Sequence, residues 1–155
     1  IWYGPSITSG DRKFRVPDDY PLNASGCGID KDGHKYIRVK GVRWLTNLDH
    51  NKRHEELELV SCYSPEDYPE YDNYKAIEVS KTAQIPFNYS GVMGVPTTFL
   101  DKYNPEQFEI IGITSNDSIV QHLWKSGASK YDRPYLKGNR KSPRILIRNK
   151  HPRQL

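Results

Sequence analysis

Apolar and polar residues alternate along most of the chain in short runs bounded by Gly, Pro, Asn and Asp, a period-2 pattern that predicts strands rather than helices. Such runs fall at residues 2–7, 13–16, 35–39, 42–46, 57–63, 76–79, 97–100, 107–113 and 144–148. Asp30-Lys31-Asp32-Gly33, just ahead of the third run, is a hairpin signal because Asp-Gly supplies positive-φ backbone. The same string opens like a calcium loop, but no Glu follows where such a loop requires one, so it reads as a turn. Helical character is concentrated at 117–125. No internal repeat and no long linker divides the chain, so residues 1–155 are expected to form a single domain of the α+β class, sheet-dominated and mixed.

Composition narrows this picture. Leu, Ile, Val and Phe number 10, 12, 8 and 4 among 155 residues, little above the level of roughly 20% at which a charged chain stays disordered. Eleven Tyr and three Trp add buriable area, so a fold with a modest core is expected, one that gains from packing against something else. The longest apolar runs are strand-sized, far short of the roughly 20 residues that span a membrane, and no membrane partner is expected. With only Cys27 and Cys62, a disulfide scaffold is not expected, and a reducing, cytoplasmic setting is. The start at Ile1-Trp2-Tyr3, without Met or a leader, reads as a start within a longer protein or after processing.

The net charge of +4 conceals a segregation. Residues 1–54 carry ten Lys/Arg against six Asp/Glu, 55–100 carry two against eight, and 101–155 carry eleven against five. Lys137, Arg140, Lys141, Arg144, Arg148, Lys150 and Arg153 follow one another with no acid between them. Clustered cations release the counterions of a phosphate backbone, so the two basic ends point to a polyanion and the acidic middle does not.

The strings that carry common chemistries are absent. There is no Walker loop, no Gly-x-Gly-x-x-Gly turn and no Gly-x-Ser-x-Gly elbow. Gly91-Val92-Met93-Gly94 matches a Gly-x-x-Gly RNA clamp only in its four letters. His50 and His54 with Cys27 and Cys62 lack the close cysteine pairs of a zinc site, so no metal is expected. Two polar segments stand out. Arg43-Trp44-Leu45-Thr46-Asn47 gathers a guanidinium, an indole and an amide; Arg and Asn suit guanine and adenine edges, while Trp44 suits either a core or a stacked base. Asp101-Lys102-Tyr103-Asn104-Pro105 puts a cation, a ring and an amide at a turn.

Gly91-Val92-Met93-Gly94-Val95-Pro96-Thr97-Thr98-Phe99-Leu100-Asp101-Lys102-Tyr103-Asn104-Pro105-Glu106-Gln107-Phe108-Glu109-Ile110 closely resembles the C-terminal region of the EcoRI-type adenine-specific DNA methyltransferases. Gly41 to His50, Tyr68 to Ile77 and Gly10 to Pro17 resemble further blocks of that family, and the likeness covers most of the chain, weakening between Thr114 and Arg140. Thr97, Thr98 and Leu45 depart from the residues more usual there.

The resemblance implies the C-terminal part of a methyltransferase α/β fold with DNA-contacting insertions. It implies a bacterial restriction–modification enzyme that moves a methyl group from S-adenosylmethionine to adenine N6 in double-stranded DNA, with the base extruded. The cofactor turn and the Asn-Pro-Pro-Phe-type motif of such enzymes lie in an N-terminal catalytic half. Here the closest string is Asp132-Arg133-Pro134-Tyr135, so no catalytic and no cofactor-binding residue is expected in this stretch, which alone would be inactive. Arg43, Asn47, Lys102, Tyr103 and Asn104 are the expected contacts near the target, with Trp44 a possible stacker. Lys137, Arg140, Lys141, Arg144 and Arg148 are expected on phosphates, fixing register without reading sequence. Two other readings compete: a non-enzymatic nucleic-acid-binding module, and a protein–protein docking domain using the acidic, Tyr-rich stretch 63–74.

Overall fold

The alternation Lys35-Tyr36-Ile37-Arg38-Val39 forms the middle strand of a three-stranded antiparallel sheet, in the order β1-β3-β2, with β1 Arg12–Arg15, β2 Gly28–Ile29 and β3 Lys35–Val39. The computed structural model describes residues 12–39 and 48–154, so the runs expected at 2–7 and 42–46 lie outside the described residues. The chain divides into two compact units, Ile1–Leu48 and Asp49–Leu155. In the first, the Asp-Gly hairpin forms as read. Asp30 Oδ1 accepts the N–H groups of Asp32 (3.0 Å) and His34 (2.8 Å), and Gly33 takes φ +83°, a value that favours glycine.

The second unit is built on a four-stranded mixed sheet. Its strands are β4 (Ile77–Glu78), β5 (Met93–Val95), β6 (Phe108–Ile113) and β9 (Ile145–Asn149), in the order β4-β5-β9-β6, with β4 and β5 parallel and the other pairs antiparallel. A separate hairpin pairs β7 (Tyr135–Leu136) with β8 (Asn139–Arg140). Helical structure among the described residues consists of short 3-10 segments, Asn51–Arg53, Thr82–Gln84, Thr97–Lys102 and Ser118–Leu123. The architecture is therefore sheet-dominated and mixed, as expected.

Local differences from the sequence pattern have physical causes. Residues 97–100 are not a strand: Pro96, lacking an N–H, ends β5, and the chain coils so that Phe99 N–H donates to Pro96 O (2.9 Å) and its ring meets Phe108 edge-on, centroids 5.3 Å apart. Residues 57–63 form no strand; their one ladder contact is the isolated parallel bridge between Ser61 and Pro86. Leu57 is held by one side chain, Gln107, whose amide accepts from Leu57 N–H (2.8 Å) and donates to Leu57 O (2.7 Å). The helix expected over 117–125 is the 3-10 segment Ser118–Leu123, capped by Asp117, whose Oδ1 accepts Ile119 N–H (3.3 Å). Its Val120 lies against β6 where a bulge interrupts the ladder between Ile110 and Gly112; a Cβ at Gly112 would sit 2.6 Å from Val120 Cγ1.

Strand β5, hidden in the sequence between Gly91 and Pro96, is buried along its whole length, and so are Ile145, Leu146 and Ile147 of β9 beside it. Around them lie Tyr71, Tyr74, Ala76, Val92, Val120 and Leu123. Tyr68, Tyr71 and Tyr74, the rings that a docking surface at 63–74 would have to present, are buried. Tyr71 lies over Gly94, where a Cβ would collide with its ring, and its phenol donates to Glu78 Oε2.

Arg144 completes that buried group: Nη2 donates to Glu78 Oε1 (2.7 Å) and Nε to Oε2 (3.2 Å), with side chains only 13% and 5% exposed. Burial, then the Glu78 charge, pushes the Tyr71 phenol well above its ordinary value. Burial alone would lower the Arg144 guanidinium, but the hydrogen bonds and charge of Glu78 outweigh it and raise the pKa.

Glu78→Gln leaves the Arg144 charge under-compensated and is expected to destabilise the chain by about 3–5 kcal/mol in urea unfolding. Gly94→Ala, which forces Tyr71 aside, is expected to cost about 1–3 kcal/mol in the same assay. Because the folded Tyr71 phenol holds its proton above the ordinary 10.0, the unfolded chain ionises first. Its contribution is present below that pH and is lost as pH climbs past it, a fall that Tyr71→Phe should diminish in alkaline unfolding.

Candidate nucleic-acid interface

Asp72 and Asn73, consecutive turn-forming residues after the buried Tyr71, organise the chain from 125 to 141. Asn73 is 2% exposed, and its side chain is fully used: Nδ2 donates to Lys130 O (2.9 Å) and Arg133 O (2.7 Å), while Oδ1 accepts Tyr135 N–H (2.9 Å). Asp72 N–H donates to Tyr135 O (2.8 Å), and its carboxylate accepts Lys137 N–H (3.1 Å) and Gly138 N–H (2.8 Å). One carboxylate thus caps the turn between β7 and β8.

That turn is of the two-residue kind in which both central residues have positive φ, Lys137 at 49° and Gly138 at 77°. Asn-Gly is the usual pair there; a lysine at the first position is strained, by about 1 kcal/mol. The strain places an ammonium at the exposed tip, with Arg140 exposed on β8 and Lys141 half-buried behind it, its N–H donating to Pro134 O (2.8 Å). Arg140 pairs with Asp132 across the hairpin.

The preceding loop is pinned by rings. Trp124 and Tyr131 stack with centroids 4.2 Å apart and 11° between planes, Tyr131 Oη donates to Lys125 O (2.7 Å), and the Tyr74 phenol reaches the Ser115 and Tyr131 carbonyls. Lys125 Nζ in turn donates to Tyr71 O (2.7 Å). Two clefts of about 530 and 570 Å3 flank this loop, and both are lined by Ser129, Lys130 and Tyr135. Lys130 is exposed and Arg133 half-buried, and neither stood out in the sequence. A larger cleft of about 610 Å3 lies elsewhere, lined by Glu56, Glu58 and Glu106 as well as His54, His151 and Arg153, a mixed charge that suits no polyanion.

The expected contacts are distributed unevenly. Arg43, Trp44 and Asn47 lie outside the described residues. Lys102 is exposed, but its neighbours are built into the fold. Tyr103 packs on Phe99 beneath the Arg53 guanidinium, and Asn104 Oδ1 accepts Glu106 N–H (2.9 Å) while Nδ2 donates to Glu55 O (3.3 Å). Lys137, Arg140 and Lys141 come together on the hairpin. Arg144 does not join them, because Glu78 holds its guanidinium inside. Arg148 is exposed on β9 and pairs with Glu109 at 3.2 Å.

Among the described residues, the Gly91–Gly94 string offers S-adenosylmethionine no open cradle. The spaces at Gly91 and Gly94, where a glycine cradle would admit a ligand, are filled by the Tyr89 and Tyr71 rings, which also disposes of the Gly-x-x-Gly clamp. Among the described residues, the three potential metal ligands close enough to share an ion are Asp30, Asp32 and His34, in the hairpin turn, and not His50 with His54. No described helix is long and apolar enough to cross a membrane.

Lys137→Asn should relax the turn and raise stability by up to about 1 kcal/mol, while Asp72→Ala, which uncaps both turn amides, should speed amide exchange at Lys137 and Gly138.

The chain is 44% identical to the Type II methyltransferase M.EcoRI of Escherichia coli over 154 residues, which is 97% of this chain and 43% of that protein. It is 35% identical to the Type II methyltransferase M.MpnI of Mycoplasma pneumoniae over 160 residues, 97% of this chain and 49% of that protein. A third relative, M.MgeORF184P of Mycoplasma genitalium, is 32% identical over 158 residues. The chain spans a little under half the length of these curated relatives. No solved structure matches it significantly. The family model described as adenine-specific methyltransferase EcoRI matches residues 1–150, and the chain belongs to that family.

Proposed function

We propose that this chain is the C-terminal, DNA-contacting part of a site-specific adenine-N6 DNA methyltransferase of a restriction–modification system, acting on double-stranded DNA in the bacterial cytoplasm. The methyl donor is S-adenosylmethionine, held together with the catalytic motif by an N-terminal half outside these 155 residues. This part supplies no proton-transfer group and no cofactor contact; it supplies surface and register.

One observation carries the reading beyond family membership: a strained, carboxylate-capped hairpin that holds Lys137 and Arg140 in the open, backed by Lys141. Backbone strain kept at a solvent-exposed cation is the kind of feature that function, rather than folding, maintains. Phosphate is the fitting ligand, since Lys137 at the tip is a point charge and Arg140 can fork two oxygens once it leaves Asp132. Lys130, Lys102 and Arg148 are further phosphate candidates, and Arg43, Asn47 and Trp44 remain candidates for base contacts. Arg144, Tyr103 and Asn104 act through the framework: they hold the elements that carry the contacts. The two compact units serve together as one DNA-contacting domain.

The triple variant K137Q/R140Q/K141Q tests the hairpin. Titrated into a labelled duplex, it should bind more weakly than the parent chain, and the slope of log K against log salt should flatten by about 0.9 for each phosphate that is no longer neutralised. A parent-like slope with intact folding would remove the hairpin from the interface.

A further inference from the structure

We infer that the N-terminal sheet carries a second phosphate-binding surface for duplex DNA, the face formed by Lys13, Arg15, Tyr36 and Arg38; the inference rests on the DNA reading above.

Strand register sorts the side chains. Lys13 pairs with Arg38, and Arg15 pairs with Tyr36, which is itself opposite Gly28. These residues share one face, because neighbours across a ladder point the same way and neighbours along a strand alternate. Phe14, paired with Ile37, lies on the other. The three strands contain five Lys/Arg and no acid among eleven residues. Three of them, Lys13, Arg15 and Arg38, are gathered on one side, where like charges repel one another.

Glycines keep this face flat. A Cβ at Gly28 would lie 3.0 Å from the Tyr36 hydroxyl, and one at Gly26 would lie 3.3 Å from Arg38 Cδ, so both long side chains lie along the sheet instead of standing off it. Lys13 Nζ sits 4.5 Å over the Tyr36 ring, which holds the ammonium at the surface. Asp30, whose carboxylate feels the Arg15 charge, is turned into its own hairpin, where it accepts the Asp32 and His34 amides. Lys13 and Arg15, two residues apart on one strand, are separated by about 6.8 Å. That is close to the through-space separation of neighbouring phosphates on one strand, which exceeds the axial rise because the backbone winds around the axis, so both can serve one backbone at once. A flat, cationic sheet with one ring and two glycines matches an extended sugar–phosphate track.

The test is anisotropy of a labelled duplex with the whole chain, at several salt concentrations, for the parent, K13Q/R15Q, K13R/R15K and the hairpin triple variant. The expected result is that K13Q/R15Q binds roughly tenfold more weakly at low salt, with a slope flatter by about 1.8, while K13R/R15K binds like the parent. Both double variants change exposed side chains, and an unchanged thermal midpoint checks their folding. If K13Q/R15Q titrates like the parent while the hairpin variant is weakened, this surface is excluded and the DNA reading stands. If the parent itself does not bind duplex, both fall together.

Discussion

The second unit depends on one buried interaction, the carboxylate of Glu78 shared between the Tyr71 phenol and the Arg144 guanidinium. A charge taken out of water is costly unless its lone pairs are met, and here Tyr71 and Arg144 meet them, so that three parts of the chain converge. Glu78 belongs to β4, Tyr71 precedes the turn before it, and Arg144 enters β9. Arg144 also exchanges hydrogen bonds with Thr114, just after β6: its N–H donates to Thr114 Oγ1 and its carbonyl accepts Thr114 N–H, both at 2.9 Å. One residue therefore reaches β4 through its side chain and the end of β6 through its backbone, which fixes the strand order across a sheet whose edge strand β4 has only two residues. Gly94 is the steric counterpart, since Tyr71 reaches Glu78 only across a position without a Cβ.

The proposed DNA-contacting hairpin hangs from the same point. Tyr71 is followed directly by Asp72 and Asn73, whose side chains cap the β7–β8 turn and fix the loop before it. The acidic middle of the chain thus does more than offset charge. Two of its carboxylates are tied into the fold: buried Glu78 neutralises Arg144, and exposed Asp72 accepts turn amides. Exposed cations remain on the hairpin and on the first unit's sheet, and also at positions such as Lys102, Lys130 and Arg148, while Arg144 is withdrawn from the surface.

Much of this was legible in the sequence. Period-2 alternation located β1, β3, β6 and β9, and Asp-Gly located the first hairpin. Strand β5 was hidden because Met93-Gly94-Val95 reads as turn between Gly91 and Pro96; only the Tyr71 ring explains the glycine. Residues 97–100 look like a strand because Phe99 and Leu100 follow two β-branched threonines, yet Pro96 decides the backbone. Charge runs indicated a cationic surface but could not tell Arg144 from Arg140, because its partner Glu78 is far away in sequence. The organising role of Asp72-Asn73 was equally out of reach: acids and amides among tyrosines look like a solvated turn until their partners at 130–138 are known.

The most direct test of the central claim, that a fixed scaffold presents cations to a DNA backbone, is amide hydrogen exchange of the chain with and without duplex DNA. Slowed exchange over 130–141, with β6 and β9 unchanged and the acidic stretch 55–63 unaffected, is the expected result. Protection confined to 55–63, or no change at 130–141 under conditions where the duplex is bound, would contradict it.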